Sequence, residues 1–103
     1  MSTWLTLFIR TDIPSAQQTI QACHALLELA RHVPIEDHPS FIFFECRNSA
    51  ELLAARVHVS SCGFKTFPFN EPYADWGITA FACEPVSEDD RASFKQFKLW
   101  RKS

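Results

Sequence analysis

Four cysteines and four histidines are the residues of this chain best suited to chemistry, and their spacing limits what they can do. His58 and Cys62 stand four apart, which places two ligands, or a thiol and a base, on one face of a helix. No second pair completes a tetrad: Cys23 and His24 are adjacent and point apart, and Cys46 and Cys83 stand alone. Single cysteines of this kind read as small core residues, reduced in a cytoplasmic chain, and neither a metal nor another cofactor is expected. Cys46 and His38 lie at opposite ends of one strand-like segment, too far apart to hydrogen bond. The run Ser60-Ser61-Cys62-Gly63 has the look of a nucleophile turn but falls at a helix end, where no strand-to-helix elbow exists. The acid pairs Glu36–Asp37 and Asp89–Asp90 are sequence neighbours in a loop and at a helix start. With no phosphate loop and no dinucleotide fingerprint, the chain is not expected to be an enzyme.

Recognition is the alternative chemistry, and the aromatics supply it. They make up 14% of the chain, ten of them Phe, more than a small core needs. Trp4, Phe8, Phe41 and Phe43 fall on strand-like segments, and Tyr73 and Trp76 fall in the loop sequence NEPYADWG, all candidates for partner contact. Charge is divided: residues 1–90 hold five bases against twelve acids, a net of −7, and residues 91–103 hold five bases and no acid. Lys95, Lys98, Arg101 and Lys102 therefore form a basic tail, read first as a solvated helix face and second as a site for an acidic partner. An acidic body repels phosphate, which disfavours RNA.

The elements that carry these residues follow from periodicity. TWLTLFIR alternates as a half-buried strand, and Asp12 or Ser15 (with Gln18 as capping-box partner) opens a helix to about residue 31. SFIFFEC is a second strand. Asn48 with Glu51 caps a second helix, whose apolar stripe is Ala50, Leu53, Ala54 and Val57, and Gly63 ends it. FKTFPF and DWGITAFAC are strands, and Ser87 opens a last amphipathic helix over about 87–101 with Phe94, Phe97 and Trp100 on its apolar side. The order β-α-β-α-β-β-α predicts an α+β protein, a ferredoxin-like two-layer sandwich with its helices on one face, as a single domain over residues 1–103. No apolar run is long enough to span a membrane and no signal segment opens the chain, so cytoplasm is the expected location.

From His38 onward the pattern resembles the family of the regulator of ribonuclease activity B, the protein inhibitors of ribonuclease E. The strand HPSFIFF, the helix AELLAARVHV, the pair Gly63-Phe64, the strand DWGITAFA and the turn EPVS carry the likeness over residues 38–100. It implies a non-catalytic regulator that binds a protein, in the manner of a nuclease inhibitor or an immunity or antitoxin protein, without naming the target. The family's final strand after the last helix has no counterpart in this pattern, and this tail is basic where the ribonuclease E inhibitor's end is acidic. The β-α-β-α-β core also resembles an RNA-recognition motif, with LFIR and SFIFFEC at the signature strands and Phe8, Phe41 and Phe43 as stacking rings, Glu45 sharing their face. A homodimer formed through the sheet is the third expectation.

Overall fold

The computed structural model describes residues 3–100. Alternation decides the centre: in β1 (Thr3–Arg10), Leu5, Leu7 and Ile9 serve one face and Thr6 and Phe8 the other, every residue from Leu5 to Arg10 being buried. There follow α1 (Ser15–Ala30), β2 (Ser40–Cys46), α2 (Ser49–Ser61), β3 (Thr66–Asn70), β4 (Ile78–Cys83), β5 (Val86–Ser87), a 3-10 helix (Glu88–Phe94) and β6 (Lys98–Leu99). The sheet runs β3-β4-β1-β2-β6, with β5 paired to the start of β1. β1 and β2 are parallel, and the β1–β4, β3–β4 and β2–β6 pairs are antiparallel.

The chain is α+β with a mixed sheet, as its element order predicts. The ferredoxin-like two-layer arrangement differs in two respects. β1 and β2 are direct neighbours, so the strand–helix–strand unit is not split, and the helices lie on opposite faces. Ala22, Ala25 and Leu29 of α1 pack on Leu5, Leu7, Ile9, Ala80 and Ala82. Leu52, Ala55 and Val59 of α2 pack with Phe94 on Phe8, Phe44, Phe81 and Cys83. The reason is directional. The first crossover steps from β1 to β2; the second returns past β1 to the far edge at β3. One handedness for both puts the two helices on different sides.

The local signals divide in the same way. Asn48 caps α2, its side chain accepting from the Glu51 N–H at 2.9 Å, and Gly63 takes φ +96° where the chain leaves that helix. At α1 the cap is Pro14 without a side-chain bond, because Asp12 is taken by Arg10 and Gln18 donates instead to the Ile13 carbonyl at 2.9 Å. The amphipathic helix expected over 87–101 is a short 3-10 helix followed by β6, so a final strand does exist. Lys98 and Leu99 pair with Glu45 and Phe44, covering backbone groups at the edge of β2 that a helix would leave unpaired. Phe94 and Phe97 stay with the α2-side core, while Trp100 packs with the α1-side core.

Candidate partner-binding site

Seven residues, 71–77, link β3 to β4. They are fixed from both sides by buried polar groups. On the α1 side Gln21 is fully buried; its amide donates to Glu71 Oε2 at 2.6 Å and its oxygen accepts from Thr79 Oγ1 at 2.6 Å. Thr79 reaches α1 because it is the extra residue of a bulge: Phe69 pairs with Ala80 and Asn70 with Ile78. On the other side the Arg10 guanidinium, held by Asp12 at 2.9 Å, donates to the Trp76 carbonyl and to the Ile78 carbonyl at 3.2 Å. The Glu71 N–H closes the loop on the Gly77 carbonyl at 3.0 Å, and Gly77 supplies the φ of +70° that the turn needs.

Tyr73 stands at the tip, 95% exposed, and its N–H donates to Glu71 Oε1 at 2.9 Å. That bond, followed by the one from Gln21, holds the Glu71 carboxyl below its ordinary range. The Asp12 carboxyl is likewise lowered, chiefly by its bond with Arg10. Trp76 is half-buried at the loop's base. A large amphipathic ring on a loop this firmly held is presented without much entropy to lose on binding.

A second exposed surface lies on α2, and periodicity alone assigned it to the core. The buried residues are Leu52, Ala55 and Val59. Ala50, Leu53, Ala54 and Val57, the expected stripe, face solvent, Leu53 and Val57 each at 61%. The helix is thus apolar on two faces, and only one is covered. The legible signal was that excess: a helix apolar on most sides needs neighbours on most sides.

The strand aromatics are not a shared platform. Phe8 is fully buried and stacks on Phe81 with centroids 4.4 Å apart. Register pairs Leu7 with Phe43 and Leu5 with Phe41, which puts Phe41 and Phe43 on the α1 face and Phe8 on the other. The arrangement expected of an RNA-recognition motif, three rings on one open face, is therefore not formed. Glu45 does share the Phe43 face, as expected, and holds Lys98 at 3.0 Å. Phe43 lies beneath Trp100 at 5.9 Å, and Phe41 remains 46% exposed at the edge. Trp4 is engaged internally: its Nε1 donates to Glu88 at 2.7 Å, and the Arg91 guanidinium sits 4.1 Å above its ring. Both sheet faces carry helices, so pairing of two copies face to face through the sheet has no open face between β1 and β3 to use.

The basic tail is not one helical face. Lys95 follows the 3-10 helix, Lys98 lies on β6, and Arg101 and Lys102 fall outside the described residues. His58 and Cys62 do meet, with Sγ 3.6 Å from Nε2, but Gln96 Nε2 at 2.7 Å and the Ser93 carbonyl at 3.1 Å crowd that same nitrogen, tying α2 to the 3-10 helix and the segment after it. Among the described residues no three His, Cys, Asp or Glu side chains gather as a metal site. Glu36 accepts from Thr3, and Asp90 accepts from Ser87 at 3.1 Å, so each acid pair has a member committed to the fold. Burial pushes the Cys46 thiol up to about 11 and the Cys83 thiol to about 12, with the Thr6 hydroxyl drawing the latter slightly back. No helix among the described residues is long and apolar enough to cross a membrane. No family model and no curated protein matches the chain.

Proposed function

We propose that the chain is a non-catalytic regulator that works in the cytoplasm by binding another protein, with the outer face of α2 as its contact surface and Tyr73 as a separate anchor. The carrying observation is the exposure of Leu53 and Val57 beside Ala50 and Ala54 on a helix whose opposite face is already buried. Contiguous apolar surface of this kind marks a place where something docks. The small alanines allow a partner helix to approach closely, and Leu53 and Val57 fill the gaps between its side chains. The likeness of residues 38–100 to inhibitors of ribonuclease E supports an enzyme as the partner. The RNA reading loses its platform, because Phe8 is buried away from Phe41 and Phe43.

The test is retention of a partner from native lysate by the wild-type chain and by Leu53→Glu. A protein is expected to stay bound after nuclease digestion and in high salt, and to be lost with Leu53→Glu, whose stability should stay within about 0.5 kcal/mol of the parent. Partners that leave with nuclease would move the function to RNA. Undiminished capture by Leu53→Glu would remove α2 from the interface.

A further inference from the structure

A pocket of about 550 Å³ opens between the 3-10 helix and the sheet, on the face away from α1. That volume lies within the size range of small-molecule sites. Its walls include the rings of Phe44, Phe94 and Phe97 and the side chains of Ile42 and Val86. Thr6 of β1 also contributes to the lining, the uncharged polar residue among these apolar groups and the charged Glu88, Asp89, Arg91 and Lys95.

Thr6 is 2% exposed; its hydroxyl is near enough to the Cys83 thiol to draw that group's pKa down, but Oγ1 has no partner in hydrogen-bond geometry among the described residues. A buried hydroxyl without a partner costs stability, and valine would fill the same space without that cost. Rotation about χ1 exchanges its methyl and hydroxyl positions, so the hydroxyl can be turned to the pocket. The mouth selects no charge. Glu88 and Arg91 are joined at 3.1 Å, and both are already engaged by Trp4. Asp89 and Lys95 remain, opposite in sign, with the small Ala92 between them on one side of the 3-10 helix.

We propose that this pocket binds a small neutral aromatic alcohol or phenol, its ring against the side of the Phe44, Phe94 and Phe97 cluster that lines the pocket and its hydroxyl on Thr6. A hydroxyl is the matching group because the threonine can both donate to it and accept from it. An aromatic ring suits the walls because it can meet Phe97, the least buried of the three phenylalanines, edge-on or offset.

The experiment compares p-cresol with toluene, which has the same ring and no hydroxyl, on the full chain labelled for NMR titration. p-Cresol should perturb the amides of Thr6, Phe44 and Phe94 and bind about tenfold more tightly than toluene, the value of one hydrogen bond. Thr6→Val should bind the two probes alike and melt above the wild type, since it removes an unpaired buried hydroxyl. Thr6→Ser, which keeps the hydroxyl, should retain the preference for p-cresol. Equal binding of both probes by the wild type overturns the proposal, as does perturbation confined to other surfaces or no binding at all. A Thr6→Val protein that melts below the wild type also overturns it, because the hydroxyl would then be serving the fold.

Discussion

The indole Nε1 of Trp100 donates to Oε1 of Gln18 at 2.8 Å, joining two side chains 82 positions apart in the chain. The Trp100 N–H also donates to the Phe43 carbonyl at 2.8 Å, so the last described residue extends the β6 contact along β2 before its side chain turns over the sheet toward α1. Gln18 in turn donates to the Ile13 carbonyl at the entrance to α1. One glutamine therefore ties the beginning of the first helix to the end of the described chain. A helix over 87–101 would keep Trp100 on the same side as Phe94 and Phe97; the strand carries it across.

Trp100→Ala should destabilise the chain by about 2–4 kcal/mol, through loss of the ring over Phe43 and an unpaired Gln18 oxygen. Trp100→Phe keeps most of the packing and should cost about 1 kcal/mol, the bond alone. Urea unfolding followed by circular dichroism separates the two.

Acid should loosen the Tyr73 loop. The Asp12 carboxyl titrates below its ordinary value of 3.8 in the folded chain. Its contribution is therefore complete above that value and is lost as pH falls below it through the folded pKa. The Glu71 carboxyl, also lowered from its ordinary 4.5, follows the same sign in a neighbouring range. Amide exchange at residues 73–77 should rise as pH is taken below about 4, beyond the intrinsic change, and Asp12→Asn should leave only the part due to Glu71.

Leu52 and Leu53 are sequence neighbours with opposite fates. Leu52 is 3% exposed and Leu53 61%. Leu52→Ala should cost about 2–4 kcal/mol, and Leu53→Ala less than about 0.5 kcal/mol, by denaturant midpoint at constant m-value. A cost at Leu53 close to that at Leu52 would mean that the outer face of α2 is covered in the free protein.

The four thiols should sort into two pairs. Cys23 and Cys62 are exposed, and Cys46 and Cys83 are buried with their thiols pushed to about 11 and about 12. A maleimide at neutral pH should add two labels to the native chain, at Cys23 and Cys62, and reach the other two only on denaturation. Mass spectrometry of the digested protein reads both outcomes.

How far the sequence could be read depended on the range of the interaction. Asn48 and Gly63 act within one turn of chain, and both do what their residue types predict. The alternation within β1 and within β2 was equally legible. Which face of β2 meets which face of β1 was not, since it depends on a register set across 36 residues (Leu7 to Phe43). On α2, Ala50-Leu53-Ala54-Val57 and Leu52-Ala55-Val59 both fit a helical period, and periodicity has no means of choosing the one that is buried. Residues 88–100 mimic a helix because acids precede bases, the polarity that a helix dipole prefers. Two residues of strand pairing and one tryptophan bond outweigh that preference, and neither leaves a local mark. The Tyr73 loop was legible as a loop, but its anchors Arg10 and Gln21 were not, being remote in sequence. Thr6 was read only as part of an alternation.

β1 takes partners from β2, β4 and β5, the last of them more than 80 positions later, where Thr3 meets Ser87 and Trp4 meets Val86. A ribosome adding roughly 5–20 residues per second needs on the order of 4–16 s to cover that distance. Early in that interval α1 and β2 can already meet Leu5, Leu7 and Ile9, but β4 and β5 are still to be made, and the Phe8 face waits for Phe81, Val86 and Phe94. The most deeply buried strand of the finished protein is thus enclosed on one face well before the other, and during synthesis the Phe8 face is the one left for a chaperone to hold.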